Sequence, residues 1–156
     1  MTSTLLWLTL LPGVPPELYI WHRSLFERAP THRAAFEQWR QWFEEHQPQD
    51  PVLQGYRAAQ LMMQAKYVWN PLDKYRSFQR GRRLLDSLIR ANPDLPELRY
   101  LRFTLQQHGP RFLNYYHDLE SDATRLRAAL PTLTDPDLAL RIRAALEAHS
   151  RVETTH

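Results

Sequence analysis

The stretch "PELRYLRFTLQQHGPRFLNYY", residues 96–116, decides how the chain is read. Its leading proline suits the first position of a helix, where the missing N–H has no intrahelical partner to lose and φ is already right. Gly109-Pro110 then ends that helix and begins another. Within the first helix Leu98, Leu101 and Leu105 share one face, and Tyr100 and Phe103 share a second. Arg102 and Gln106 run between those faces, as polar groups do along the seam of a packed helical domain.

Working outward, the same punctuation recurs. "PPEL" opens a helix near 16–29, "APTHR" one near 32–46 with Thr31 as its cap, and "QDPVL" one that starts at Pro51 under Asp50. "WNPLD" repeats the device with Asn70 and Pro71, and "LTDPDL" with Asp135 and Pro136. A helix over 110–130 places Phe112, Tyr116, Leu119, Ala123, Leu126 and Leu130 on one stripe. The helix near 32–46 buries Phe36, Trp39 and Phe43, and the helix over 136–149 buries Leu138, Ile142 and Ala145. No stretch alternates with period two for long enough to make a sheet. The expected fold is all-α, about seven helices in a right-handed stack of antiparallel helical hairpins.

The totals agree. The chain has 156 residues, enough for one domain with its own core, and 12 prolines against 4 glycines suit helices with proline-marked starts. A formal charge of +3 permits an anionic partner without requiring one. No cysteine is present, which excludes a disulfide framework, a thiolate zinc site and a cysteine nucleophile within this chain. The division expected is an apolar arm or signal-like segment over 1–15, a helical domain over 16–150, and a frayed tail over 151–156. "LLWLTLLPGVPP" is too short to span a bilayer and lacks a basic leader and a small-x-small cleavage site. It therefore reads equally as a packed arm or a degenerate export signal, and the compartment as periplasm or cytoplasm.

Gly81, Leu85, Leu88 and Pro93, followed by Leu98, Leu101 and Leu105, resemble the hairpin spacing of a tetratricopeptide repeat. Arg102 departs from that pattern where it wants a small residue, and Leu88 is bulky where alanine is usual. A broader set comprises "AK" at 65–66, "NP" at 70–71, Lys74, Phe78, Gly81, "NP" at 92–93, "ELRYLR" at 97–102, Gln106, Pro110, "FL" at 112–113, Tyr115 and Asp122. Over residues 55–130 this resembles an uncharacterised family of small all-helical bacterial proteins. The resemblance implies the helical fold and, since members often begin with a signal peptide, export; it implies no activity.

Polar side chains on apolar faces are the candidate site. Lys66, Lys74, Arg102, Gln106, Tyr115 and Asp122 would converge if the four central helices pack as sequential hairpins. Two readings follow. In one the cluster is an internal ion-pair network, with Asp122 and Glu97 answering Arg102 and the lysines. In the other, surplus positive charge makes a semi-buried pocket for a small carboxylate or phosphate, which arginine grips bidentately.

Arg76, Arg80, Arg83 and Arg90 form a basic stripe on the opposite face of their helix, a solvated face unless a phosphate backbone or anionic membrane meets it. No nucleic-acid motif accompanies it. His117 and Ser121 project away from the apolar stripe, and neither an HExxH pattern nor an activated nucleophile appears, so no metal, cofactor or catalytic residue is expected. Trp42 lies off the stripe of Phe36 and Trp39 and could join a partner interface. The functional expectation is a non-catalytic protein-interaction or accessory module. The alternatives are a small-anion binding protein and an enzyme of unknown type.

Overall fold

The computed structural model describes residues 13–155. The proposed apolar arm lies outside the described residues except for Gly13–Pro15. Seven α-helices follow among the described residues: α1 Pro16–Arg28, α2 Arg33–Glu45, α3 Pro51–Gln64, α4 Pro71–Ala91, α5 Pro96–His108, α6 Leu119–Ala129 and α7 Pro136–Glu153. Single 3-10 turns lie at Arg111–Leu113 and Leu130–Thr132. The fold is all-α, and α7 continues three residues into the stretch read as a frayed tail.

Proline heads α1, α3, α4, α5 and α7. Three of those starts are capped by a side chain. Asp50 accepts from the Leu53 N–H at 3.0 Å, Asn70 from Leu72 at 2.8 Å and Asp135 from Leu138 at 3.1 Å. Each bond satisfies a backbone donor that the helix itself leaves orphaned. Thr31 does not cap α2. Its hydroxyl donates to the Arg28 carbonyl and so closes α1, while His32 holds the cap position without a side-chain bond.

The odd-numbered helices pack in succession, α1 on α3, α3 on α5 and α5 on α7, and α2, α4 and α6 each pack against a sequence neighbour. Between them lies one core containing Phe26, Phe36, Trp39, Tyr56, Leu85, Leu98, Leu101, Phe103, Leu126 and Ile142, all buried. Gly81 permits the close crossing of α3 and α4, because a Cβ there would lie 2.4 Å from the Ala58 carbonyl oxygen.

The helix expected over 110–130 is broken. After Pro110 the chain makes a 3-10 turn, then Asn114 enters the left-handed region at φ 52°, and α6 begins only at Leu119. Asparagine tolerates that region better than other side chains, so the break is local chemistry. The consequence is a rearranged stripe. Ala123 and Leu126 are buried as expected, Phe112 is 85% exposed, and Tyr115 is buried in place of Tyr116.

Candidate functional site

Four of the six predicted residues meet. Arg102 leaves α5 and lies nearly buried, donating from Nε to Asp122 Oδ2 at 2.7 Å and from Nη2 to Asp122 Oδ1 at 2.8 Å. Asp122, on α6, is 0% exposed and also accepts from Arg99 at 3.4 Å. The remaining Arg102 nitrogen reaches Asp86 of α4 at 3.3 Å. Gln106 donates to Asp118 Oδ2 at 2.9 Å and accepts the Asp118 backbone N–H at 3.1 Å, which fixes the loop entering α6. Tyr115 donates to Asp86 at 3.4 Å, and Arg82 lies 4.7 Å from its ring centroid.

Burial alone would lower the Arg102 pKa, but bonds to Asp122 and the fields of Asp122 and Asp118 outweigh it and raise it. Tyr115 is raised by burial first and by Asp86 second. Three arginines (82, 99 and 102) face three carboxylates (86, 118 and 122). That balance leaves no positive surplus for an anion.

The two lysines lie elsewhere. α3 ends at Gln64, so Lys66 sits in the turn beyond it, exposed, its ammonium donating to the Pro30 carbonyl. Lys74 is exposed because α4 begins in an overhang. Nothing in its first six residues is buried, and Phe78 is the first side chain to enter the core.

A second network sits where sequence reasoning placed none. Arg23 of α1 is 1% exposed and uses its whole guanidinium fork. Nε and Nη2 hold Glu97 at 2.7 and 2.9 Å, Nη2 also holds Asp135 at 2.8 Å, and Nη1 holds Asp137 at 2.9 Å. Tyr56 adds a third donor to Glu97 at 2.6 Å. Glu97 thus answers Arg23 and not Arg102. The knot ties α1 to α5 and α7, and Arg141 extends it to Asp137 and Glu27. Arg23 shares a face with Tyr19 and Phe26, so the test of polar residues on apolar faces, applied to α1, would have found it. Burial pushes Asp135 and Asp137 up, but their bonds to arginine leave both below the usual carboxylate range.

His22 lies fully buried among Trp21, Trp42, Phe43 and Tyr56. Its Nδ1 accepts from Trp39 Nε1 at 2.9 Å, so the neutral ring carries its proton on Nε2, which has no partner. Burial, helped by the field of His46, pushes this imidazole down to about 3. Trp42 is half-buried, stacked on His46. His117 and Ser121 are both exposed.

The outer face of α4 is different in kind. Arg76, Arg80, Arg83 and Arg90 are exposed, and among the described residues none has a carboxylate within ion-pair distance. At 100° per residue they share a narrow stripe with Leu72 at its start. Trp69 just before the helix is 96% exposed, and Leu72 and Tyr75 also face solvent. A shallow cleft of about 310 Å³ opens beside them, lined by Leu61, Gln64, Val68, Asp73, Arg76, Ser77 and Arg80. The field is felt inward: Arg57 is held below the ordinary arginine value by its burial and then by Arg80.

Fold and site together define a small all-helical protein whose buried arginines are matched by carboxylates and whose α4 carries an exposed row of arginines. No protein-family model, curated protein or solved structure matches the chain. Among the described residues no helix is long and apolar enough to cross a membrane.

Proposed function

We propose that the protein is a non-catalytic interaction module that takes an acidic, apolar-bearing segment of another protein along the outer face of α4. The observation that carries this is the row of four unpaired arginines headed by Trp69 and Leu72. Like charges at helical spacing repel and weaken their own helix slightly, so the stripe adds nothing to the fold. Exposed tryptophan and arginine are the residue types that dominate binding energy at protein interfaces. Arg76 and Arg80 flank the cleft and could clamp one carboxylate bidentately while Trp69 covers an apolar neighbour.

Successive packing of the odd helices and the glycine crossing at Gly81 support a tetratricopeptide-like hairpin stack as the scaffold. The small size and all-α fold are compatible with kinship with small helical bacterial proteins. A small carboxylate or phosphate is the second reading, favoured by the same Arg76/Arg80 cleft rather than by Arg102.

Selection from a displayed peptide library tests the proposal. Enriched peptides should combine Asp or Glu clusters with Trp, Phe or Leu, and an Arg80→Glu/Arg83→Glu variant should not retain them. Retention by that variant, or enrichment without acidic residues, would defeat the assignment. Saturable binding of free phosphate or citrate with no peptide enriched would replace it with the small-anion reading. Preferential capture of duplex DNA or RNA would also overturn it.

A further inference from the structure

We propose that Glu120, His149 and Glu153 form a site for a divalent first-row transition ion, Zn2+ foremost, independent of the α4 face. The three residues come from the first turn of α6 and the last two turns of α7. His149 is nine-tenths buried, packed edge-on against Phe103 at 5.3 Å between ring centroids, and this wedge fixes the ring with Nε2 facing the glutamates. Nε2 lies 2.9 Å from Glu120 Oε1 and 3.5 Å from Glu153 Oε1, and the three candidate ligand atoms all fall within 4.8 Å of one another. An ion bound tetrahedrally at the usual zinc bond lengths sets its ligands about 3.3 Å apart. The two distances from the imidazole bracket that value, and the two carboxylates, both exposed, are free to adjust their separation.

The charges point the same way. A neutral imidazole has one Nε2–H, and it can satisfy only one of the two carboxylates turned toward it. The other then faces like charge; Glu120 is held below the usual carboxylate range first by its bond to His149, with Arg127 a smaller contributor. A divalent ion in place of that proton is neutralised by both glutamates and still takes the imidazole lone pair. One nitrogen with two carboxylate oxygens suits zinc and its first-row neighbours, being too hard for copper(I) and too nitrogen-rich for magnesium. Both glutamates are exposed, which leaves an entry path and room for water to complete the coordination shell. Glu153 and His149 stand at i,i+4 on α7, but Glu120 is distant in sequence, so no sequence motif announces the group.

Calorimetric titration of the full chain with Zn2+, and separately with Mg2+, tests the site. One Zn2+ per chain is expected, with no saturable Mg2+ binding. Affinity should fall about tenfold or more in Glu120→Gln and in Glu153→Gln. Bound Co2+ should show visible ligand-field bands that vanish in the double variant. Both changes are at exposed positions, so unchanged far-ultraviolet circular dichroism will certify the fold. Absence of saturable Zn2+ uptake, or uptake undiminished in the Glu120→Gln/Glu153→Gln chain, would overturn the proposal.

Discussion

Replacing Arg102 with methionine should be among the most damaging single changes in the α5–α6 region. Asp122 has no exposure to water and takes two charge-assisted bonds of 2.7 and 2.8 Å from Arg102. Without that partner the carboxylate keeps only Arg99 at 3.4 Å. Breaking one side of a buried pair costs about 3–5 kcal/mol, and the Arg99 contact places the expectation near the lower end. Domains are stable by about 5–15 kcal/mol, so the loss is a large share of the total. At about 2–4 °C per kcal/mol for a chain of this size, the midpoint should fall by roughly 6–12 °C.

Urea titration followed by circular dichroism at neutral pH reads the change directly. Two companion variants separate the causes. Arg102→Met/Asp122→Leu removes both charges and should recover most of the loss, since apolar replacement of a whole buried pair is often neutral. Arg102→Lys keeps the charge but not the fork and should fall between. The reasoning fails if Arg102→Met is as stable as the parent, for then Asp122 was never dependent on its partner. It fails equally if the double variant is no better than the single.

Other consequences are open to simpler tests. His22 binds its proton only near pH 3 when folded but near 6.5 when unfolded, so the unfolded chain takes up more protons in that window. Stability is therefore full above about pH 6.5 and declines on acidification at up to about 1.4 kcal/mol per unit; denaturation at pH 7 and 5 should show it, and His22→Gln should flatten the slope. Asp135 and Asp137 are depressed in the folded state, so their contribution is present above about pH 4 and lost as pH falls through the folded values. Acid unfolding curves of Arg23→Met should show a smaller lower step, and those of Arg23→Met/Arg141→Met a smaller one still. Gly81→Ala would thrust a methyl against the Ala58 carbonyl and the Met62 backbone nitrogen, and a cost of about 1–3 kcal/mol in urea is expected despite alanine's better helix propensity. Trp69→Ala should leave the urea midpoint within error and yet weaken any acidic peptide ligand.

Much of this architecture was legible because it is written in local chemistry. Proline at a first helical position and Asp or Asn before it act within one turn, so Pro51, Pro71 and Pro136 announced their helices correctly. What failed were inferences that needed a neighbour. Lys74 projects onto the side of Phe78 and Leu85, but whether that side is covered depends on where α3 stops, and it stops at Gln64. The ion-pair reading has Glu97 answering Arg102 and the lysines, but its partner is Arg23. In the fold Glu97 and Arg102 leave α5 in different directions, toward α1 and α6, which five residues of helix rotation allow. The break at Asn114 is intermediate: Gly109-Pro110 was visible, but the apolar spacing beyond it imitated an uninterrupted stripe.

The two arginine knots also bear on where function can reside. Arg23 is held by carboxylates from helices far along the chain and Arg102 by carboxylates from the two neighbouring helices, and each guanidinium has its donors committed. A binding group must exchange partners when its ligand arrives, and here releasing Glu97 or Asp122 would strand a buried carboxylate at a cost of several kcal/mol. Weak anionic ligands do not supply that much. Arg76, Arg80, Arg83 and Arg90 face no such penalty, since they give up only water and counterions when a carboxylate approaches. The same residue type therefore serves two ends in one short chain: enclosed, it fixes the order in which helices pack, and exposed along α4, it is available to another molecule.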